Sequence, residues 1–215
     1  MKVFHIYHHY YPVLGGLERV VQNIAEEQVK MGHEVHVVTS THGSEGEPRE
    51  ETVNGVRIHR VRAIRLRYPD LEYPINGPQR VLVDSDMVHV HSQNSLFNIA
   101  TAKRAKKIGK PVIIDFLALD YLDSHTNPLI RFFGGLYQER IQREAVKIAN
   151  KAITFNMMDH RILKNKYALE SKIVPHGIDE KYLRKPKDDS LFRERYDAYD
   201  GNVVTYIGRV HPSKG

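Results

Sequence analysis

The sequence contains no cysteine. Disulfide staples and thiolate metal sites are therefore excluded, and a reducing compartment is the expectation. Nor does any apolar run approach the roughly 18 residues that a membrane-crossing helix needs. Met1-Lys2-Val3-Phe4 enters a strand-like stretch at once, without the charged-then-apolar build of a secretory leader. Acidic charge is in the minority: 26 Asp and Glu stand against 32 Lys and Arg, a formal net charge of +6. That balance suits nucleic acid, anionic lipid or phosphorylated small molecules and does not choose among them. No DNA- or RNA-binding module accompanies the arginines, so nucleic acid is not an expected partner. Neither a Gly-x-Gly-x-x-Gly fingerprint nor a P-loop is present.

What is present is alternation of strands and helices. The 215 residues allow one full domain and a little more. Lys2–Tyr7 reads as a short buried strand. Leu17, Val20, Val21, Ile24, Ala25, Gln28 and Val29 follow a period near 3.6, which predicts a helix closed at Gly32. Glu34–Thr39 is a second strand, so a β-α-β unit is complete by residue 40. Thr52–Ile64 carries an Asn-Gly turn in a β-rich stretch, and Pro69–Gln79 reads as a loop. Further along, strands are predicted over Asp86–His91, Lys110–Leu117 and Lys151–Asn156, and Ser171–Asp179 reads as a strand running into a glycine turn. Helices are predicted over Ile99–Ile108, Leu129–Ala149 (interrupted by Gly134-Gly135) and Asp159–Tyr167. The pattern predicts an α/β domain, a Rossmann-like parallel sheet with helices on both faces.

Three segments follow from composition: a domain over 1–179, a charged linker over 180–202 with a helical piece near Leu191–Tyr196, and a new strand and loop over 203–215. Val203–Ile207 reads as an interior strand with no neighbours in the chain. The expectation is a fragment, in which Val203–Gly215 is disordered or paired with another molecule's sheet.

The doublet Gly15-Gly16 stands where the first strand hands over to the first helix. Open parallel sheets bind ligands at the carboxyl ends of their strands. Glycine lets backbone approach a ligand closely, and a helix amino end attracts phosphate. A tight turn without a ligand would account for the doublet equally well. The segments taken in order, however, closely resemble the family-four glycosyltransferases (glycosyl transferase group one): "YYPVLGGLERVVQNIAEEQVKMGHEVHVVT", "DMVHVHS", "NKAITFN", "KIVPHGID" and "VVTYIGRVHPSKG". The resemblance covers nearly the whole chain. It implies the N-terminal half of a GT-B fold, two Rossmann-like domains with the active site in the cleft between them. It implies retaining transfer of a sugar from a nucleoside-diphosphate donor to a hydroxyl acceptor, lipid or polysaccharide linked, with the sugar nucleotide as substrate and no cofactor or bound metal. By the same resemblance Gly15, Gly16, Arg209 and Lys214 lie against the donor diphosphate, where cations and N–H groups stabilise the charge that grows on the leaving group. A cytoplasmic location is expected, with peripheral attachment to the inner face of a membrane as its variant.

The chain departs from the family in two places. Leu117 stands where relatives carry a histidine, in "LALD", and leucine can neither donate a hydrogen bond nor titrate. The donor-side glutamates would lie beyond Gly215, so the chain alone is expected to be inactive. A degenerate transferase domain that serves as a binding module is the alternative. Catalytic candidates on the first domain are His91 and Asp120, with Asp115 and His125 as further substitutes for the missing histidine.

His89 and His91 alternate on one strand and share a face. Ordering of the strand end is preferred there over a metal, as packing is for His5, His8 and His9. Two stretches raise the question of a lipid surface. Arg57, Arg60, Arg62, Arg65 and Arg67 form a basic run, read first as a solvated β edge. Asn127–Arg143 mixes Leu129, Ile130, Phe132, Phe133, Leu136 and Tyr137 with arginines; the alternative is a helix packed on the sheet. An exposed apolar patch and self-association of the fragment are expected.

Overall fold

The computed structural model describes residues 1–66, 71–75, 79–178, 183, 188–198 and 203–204. Arg67, Arg209 and Lys214 lie outside the described residues, as does all of Val203–Gly215 except its first two positions. The chain divides into two compact units, Met1–His176 and Gly177–Gly215.

In the first unit β1 (Lys2–Ile6) leads to α1 (Gly16–Lys30) and β2 (Glu34–Ser40). Val21 and Ala25 bury the inner stripe of α1. The helix stops where Gly32 takes a φ of +84° and the His33 N–H returns to the Gln28 carbonyl. A hairpin follows, β3 (Glu50–Val53) and β4 (Val56–Val61). Its turn places Asn54 and Gly55 at φ of 51° and 82°, as a two-residue loop matched to strand twist requires. Next come β5 (Ala63–Arg65), β6 (Glu72–Pro74), α2 (Gln79–Leu82), β7 (Met87–His91), α3 (Leu96–Lys107) and β8 (Val112–Phe116). A 3₁₀ turn (Tyr121–Ser124), α4 (Pro128–Ile148), β9 (Lys151–Thr154), α5 (Met157–Tyr167) and β10 (Lys172–Ile173) complete the unit. The second unit contains α6 (Ser190–Arg195).

The main sheet has eight strands in the order β10-β9-β8-β7-β1-β2-β4-β3. Every neighbouring pair is parallel except β3 with β4. One face carries Phe4, Ile6, Val88, Val90, Ile114 and Phe116 under α3, α4 and α5. The opposite face carries Val35, Val37, Val56 and Ile58 under α1. Two apolar layers on one sheet are what alternating β and α segments call for. Strand order reverses at β1, whose neighbours are β2 on one side and β7 on the other. The crevice of an open α/β sheet forms at such a point, beyond the carboxyl ends of the strands.

The structure corrects four expectations. Glu72–Pro74, inside the stretch read as a loop, pairs antiparallel with Ala63–Arg65. The helix at Gly134-Gly135 is uninterrupted: a Cβ on Gly134 would meet Leu122 Cδ1 at 2.9 Å, so the glycine admits the 3₁₀ turn against the helix. The strand predicted to start at Ser171 and run into a glycine turn is limited to Lys172–Ile173, and Asp179 lies outside the described residues. The basic run is a solvated edge only in part: Arg57, Arg62 and Arg65 are exposed, but β4 lies inside the sheet between β2 and β3. Arg60 is buried and paired with Glu51, Arg65 Nε donates to the buried Glu72 carboxylate at 2.8 Å, and Arg57 pairs with Glu34 at 3.3 Å.

Candidate functional site: the rim of the parallel sheet

Three loops leave the carboxyl ends of the neighbouring strands β1, β7 and β8. The first ends at Gly15, the N-cap of α1, in extended backbone. Gly15 has no side chain with which to cap this helix, so the first-turn N–H groups look to other partners. A Cβ at Gly16 would meet nothing within 4 Å among the described residues, so this side is open. Gly15 is different, because a Cβ there would fall 2.1 Å from the Glu18 carboxylate, which folds back over the helix start. A carboxylate at that position is itself favoured by the helix dipole. An anion approaching the turn meets the Gly16 side free and the Gly15 side held by Glu18.

The second and third loops are pinned to each other. Ser92 adopts a φ of +81° after β7. The buried Asn98 amide donates to the His91 and Ser92 carbonyls at 2.7 and 3.0 Å. Gln93 Oε1 accepts from the Leu117 N–H at 3.0 Å, and its Nε2 donates to the Leu117 carbonyl at 2.9 Å. Ala118 and Asp120 take φ of +49° and +57°, a conformation that costs a side-chain-bearing residue about 1–2 kcal/mol. The Asp159 carboxylate accepts from the Ala118 and Leu119 N–H groups at 3.3 and 2.9 Å and supports that backbone.

Below the rim, on the α1 face, apolar residues give way to His5, His89, His91 and Asp115, all buried. The register sets His5 against His89 and His91 against Asp115. Asp115 Oδ1 accepts from His89 Nε2 at 2.8 Å and Oδ2 from His91 Nδ1 at 2.7 Å. Burial alone would raise the Asp115 pKa; the two imidazoles outweigh it and hold the carboxyl below its usual range. Burial, then the neighbouring His89, lowers His91 to about 4. Burial also lowers His5 well below its ordinary value, with His91 and His89 adding to the shift.

A sequence profile described as Glycosyltransferase Family 4 matches residues 14–182. The chain belongs to that family. A curated relative, the phosphatidylinositol N-acetylglucosaminyltransferase GPI3 subunit of Saccharomyces cerevisiae, is 21% identical over 213 residues, covering 96% of this chain and 45% of its own length. Sucrose-phosphate synthase from Thermosynechococcus elongatus superposes with a TM-score of 0.62 at 15% identity, over 91% of this chain and 52% of that one. A shorter chain of the same enzyme, 97% covered, gives a TM-score of 0.52 at 13% identity. These likenesses show the fold, and the chain spans about half the length of the first relatives it matches.

In this family-4 chain the predicted site residues fall into two groups. Gly15, Gly16, Leu117 and Asp120 lie on the rim loops. The Asp120 carboxylate accepts from Lys166 Nζ at 2.9 Å and lines a surface cavity of about 570 Å³ with Met157, Met158 and Arg161. His91 and Asp115 lie beneath the rim, His91 fully buried with both ring nitrogens in contact with partners. His125 follows the 3₁₀ turn, and its Nδ1 accepts from the Asn127 N–H. His8 is buried, and burial, His9 and Arg65 lower it to about 3. Sequence reasoning missed Glu18, Gln93, Asn98 and Asp159. The polar run Ser92–Ser95 directly after a buried strand was the available signal for Gln93 and for Asn98 in the helix that follows; nothing local marked Asp159.

An exposed apolar stripe runs along α4. Leu129, Phe132, Phe133 and Leu136 are 59–67% exposed. Their spacing of three, four and seven residues puts them in one stripe along the helix. Asn127 caps this half of α4, and the buried residues Gln138, Ile141, Gln142, Ala145 and Ile148 belong to the other half. Among the described residues no helix is long and apolar enough to cross a membrane.

Proposed function

We propose that this chain is the acceptor-side half of a retaining glycosyltransferase that moves a sugar from a nucleoside-diphosphate donor to a hydroxyl on a lipid-linked acceptor. The observation that carries the reading is the amino end of α1, open beside Gly16 at the point where strand order reverses. Transfer leaves negative charge on the departing diphosphate, and preorganised N–H groups aimed at such charge lower the barrier. Arg209 and Lys214 are assigned to the same diphosphate from the family motif. Asp120, on the loop after β8, is the candidate to orient the acceptor. The solvent-facing stripe of α4, flanked by the exposed Arg131, Arg140 and Arg143, favours an acceptor at an anionic lipid surface. The name of the yeast relative includes a phospholipid, phosphatidylinositol, which agrees with this choice.

The test is turnover of a panel of nucleoside-diphosphate sugars by the full-length protein with lipid acceptors, the 215-residue chain serving as control. Release of nucleoside diphosphate that depends on acceptor, with retained anomeric configuration in the product, is the expected result. No turnover of any donor would favour the second reading, a degenerate transferase domain used for binding. Leu117 at the family's histidine position is the observation behind that alternative.

A further inference from the structure

The buried histidines beneath the rim present a hydrogen-bonding problem that transfer chemistry does not use. Each ring has one nitrogen committed to an oxygen: His91 Nδ1 and His89 Nε2 to the two oxygens of Asp115, and His5 Nε2 to Gln28 Oε1 at 2.8 Å. Carboxylate and amide oxygens only accept, so each neutral ring spends its N–H there. The nitrogens left over are lone pairs. Two of them, His5 Nδ1 and His91 Nε2, face each other at 2.8 Å. Lone pairs at that distance repel unless a positive centre lies at the junction.

We propose that His5, His89 and His91 bind a single divalent transition-metal ion of zinc's class. One ring nitrogen from each of the three lies within 4.8 Å of the others, a convergence that a shared proton between two rings would not need. Histidines that ligate metals donate their second N–H to a carboxylate or carbonyl oxygen, and Asp115 and Gln28 provide that support to all three. Three neutral imidazoles suit zinc and its neighbours. With metal–nitrogen bonds of about 2.0–2.1 Å, tetrahedral ligand nitrogens sit roughly 3.3 Å apart, so binding spreads the His5–His91 pair by about half an ångström. His5 and His91 are fully buried and His89 is 9% exposed, so the ion enters past His89 or during folding. A turned Gln28 amide, donating to His5 Nε2, would instead let a proton sit on His5 Nδ1 and remove the need for a metal.

The experiment refolds the 215-residue chain from denaturant with Co²⁺, then removes loosely held ion on the exposed histidines by brief chelation. One Co²⁺ retained per chain, with the intense visible absorption of a tetrahedral site and stoichiometric displacement by Zn²⁺, is expected. His89→Asn should weaken retention at least tenfold while the far-UV circular dichroism of the metal-free chain stays unchanged. Should that variant misfold, nitrogen-15 shifts of the three wild-type rings on Zn²⁺ addition decide the matter. Absence of retained Co²⁺, equal retention by folded His89→Asn, or ring shifts that ignore Zn²⁺ and report a proton on His5 Nδ1 would each overturn the proposal.

Discussion

Gln93 forms two hydrogen bonds with one residue's backbone, accepting from the Leu117 N–H and donating to the Leu117 carbonyl. The loop after β7 thereby fixes the loop after β8. Gln93→Ala leaves the Leu117 N–H without this partner, while the carbonyl keeps a contact with Asn94 Nδ2 at 3.4 Å; an unmet buried polar group costs about 1–3 kcal/mol. Urea denaturation should show a loss in this range. Hydrogen exchange at the Leu117 amide should accelerate by more than the global loss explains. Unchanged exchange would show that the clamp does not hold the loop.

Ala118→Gly should stabilise the chain. Ala118 sits at φ +49°, and relief of that conformation outweighs the extra freedom glycine gains when unfolded, for a net of about 0.5–1 kcal/mol. Equilibrium denaturation of the single variant checks the sign.

The glycine pair in α4 should respond unequally. A methyl at Gly135 would meet Asp123 Oδ1 at 3.6 Å, an ordinary contact, so Gly135→Ala should gain close to the full helix-propensity difference of about 1 kcal/mol. At Gly134 the methyl would press Leu122 Cδ1 at 2.9 Å, and repacking of Leu122 should cancel much of that gain. Thermal melts of the two variants should rank Gly135→Ala above Gly134→Ala.

Acid should destabilise the fold through histidines kept neutral by burial. His8 is lowered to about 3; burial also lowers His36 and His59, which share a 2.9 Å contact between His36 Nδ1 and His59 Nε2. The unfolded chain takes up these protons near pH 6.5 and the folded chain at lower pH. Their contribution is therefore complete above pH 6.5 and declines as pH falls toward the folded values. Stability measured from pH 8 to pH 4 should fall on the acid side, and the His8→Asn variant should flatten the slope.

Phe132→Asp together with Phe133→Asp should leave stability within about 0.5 kcal/mol, since both rings are exposed. Co-sedimentation with anionic vesicles at low salt should be lost. Vesicle binding that survives the double variant, or is absent in the parent chain, would remove α4 as the lipid-facing element.

Much of the framework could be read from the sequence because its signals are local. The 3.6 period from Leu17 to Val29 and the apolar runs around Val37 and Val88 each identify an element alone. Glu72–Pro74 could not be read this way: three residues beside proline carry no period, and their pairing with Ala63–Arg65 is tertiary. The glycine pair in α4 looked like a break because helix propensity says nothing about what packs on the helix. At the rim, Gly15 and Gly16 were visible as punctuation. Gln93 and Asp159 were not, since each acts on backbone 24 and 40 or more positions away in the chain. His89 and His91 share a face by alternation, but His5 joins them through strand order, 86 residues from His91.

The margins of the main sheet end in strands poorly suited to recruiting a neighbour's backbone. At one side β3 offers four residues beginning with Glu50 and Glu51; at the other β10 offers two, the first of them Lys172. Short, charged borders resist the strand-by-strand growth that drives edge aggregation. Association between copies through these borders would have to rely on side chains rather than on a shared ladder of amides.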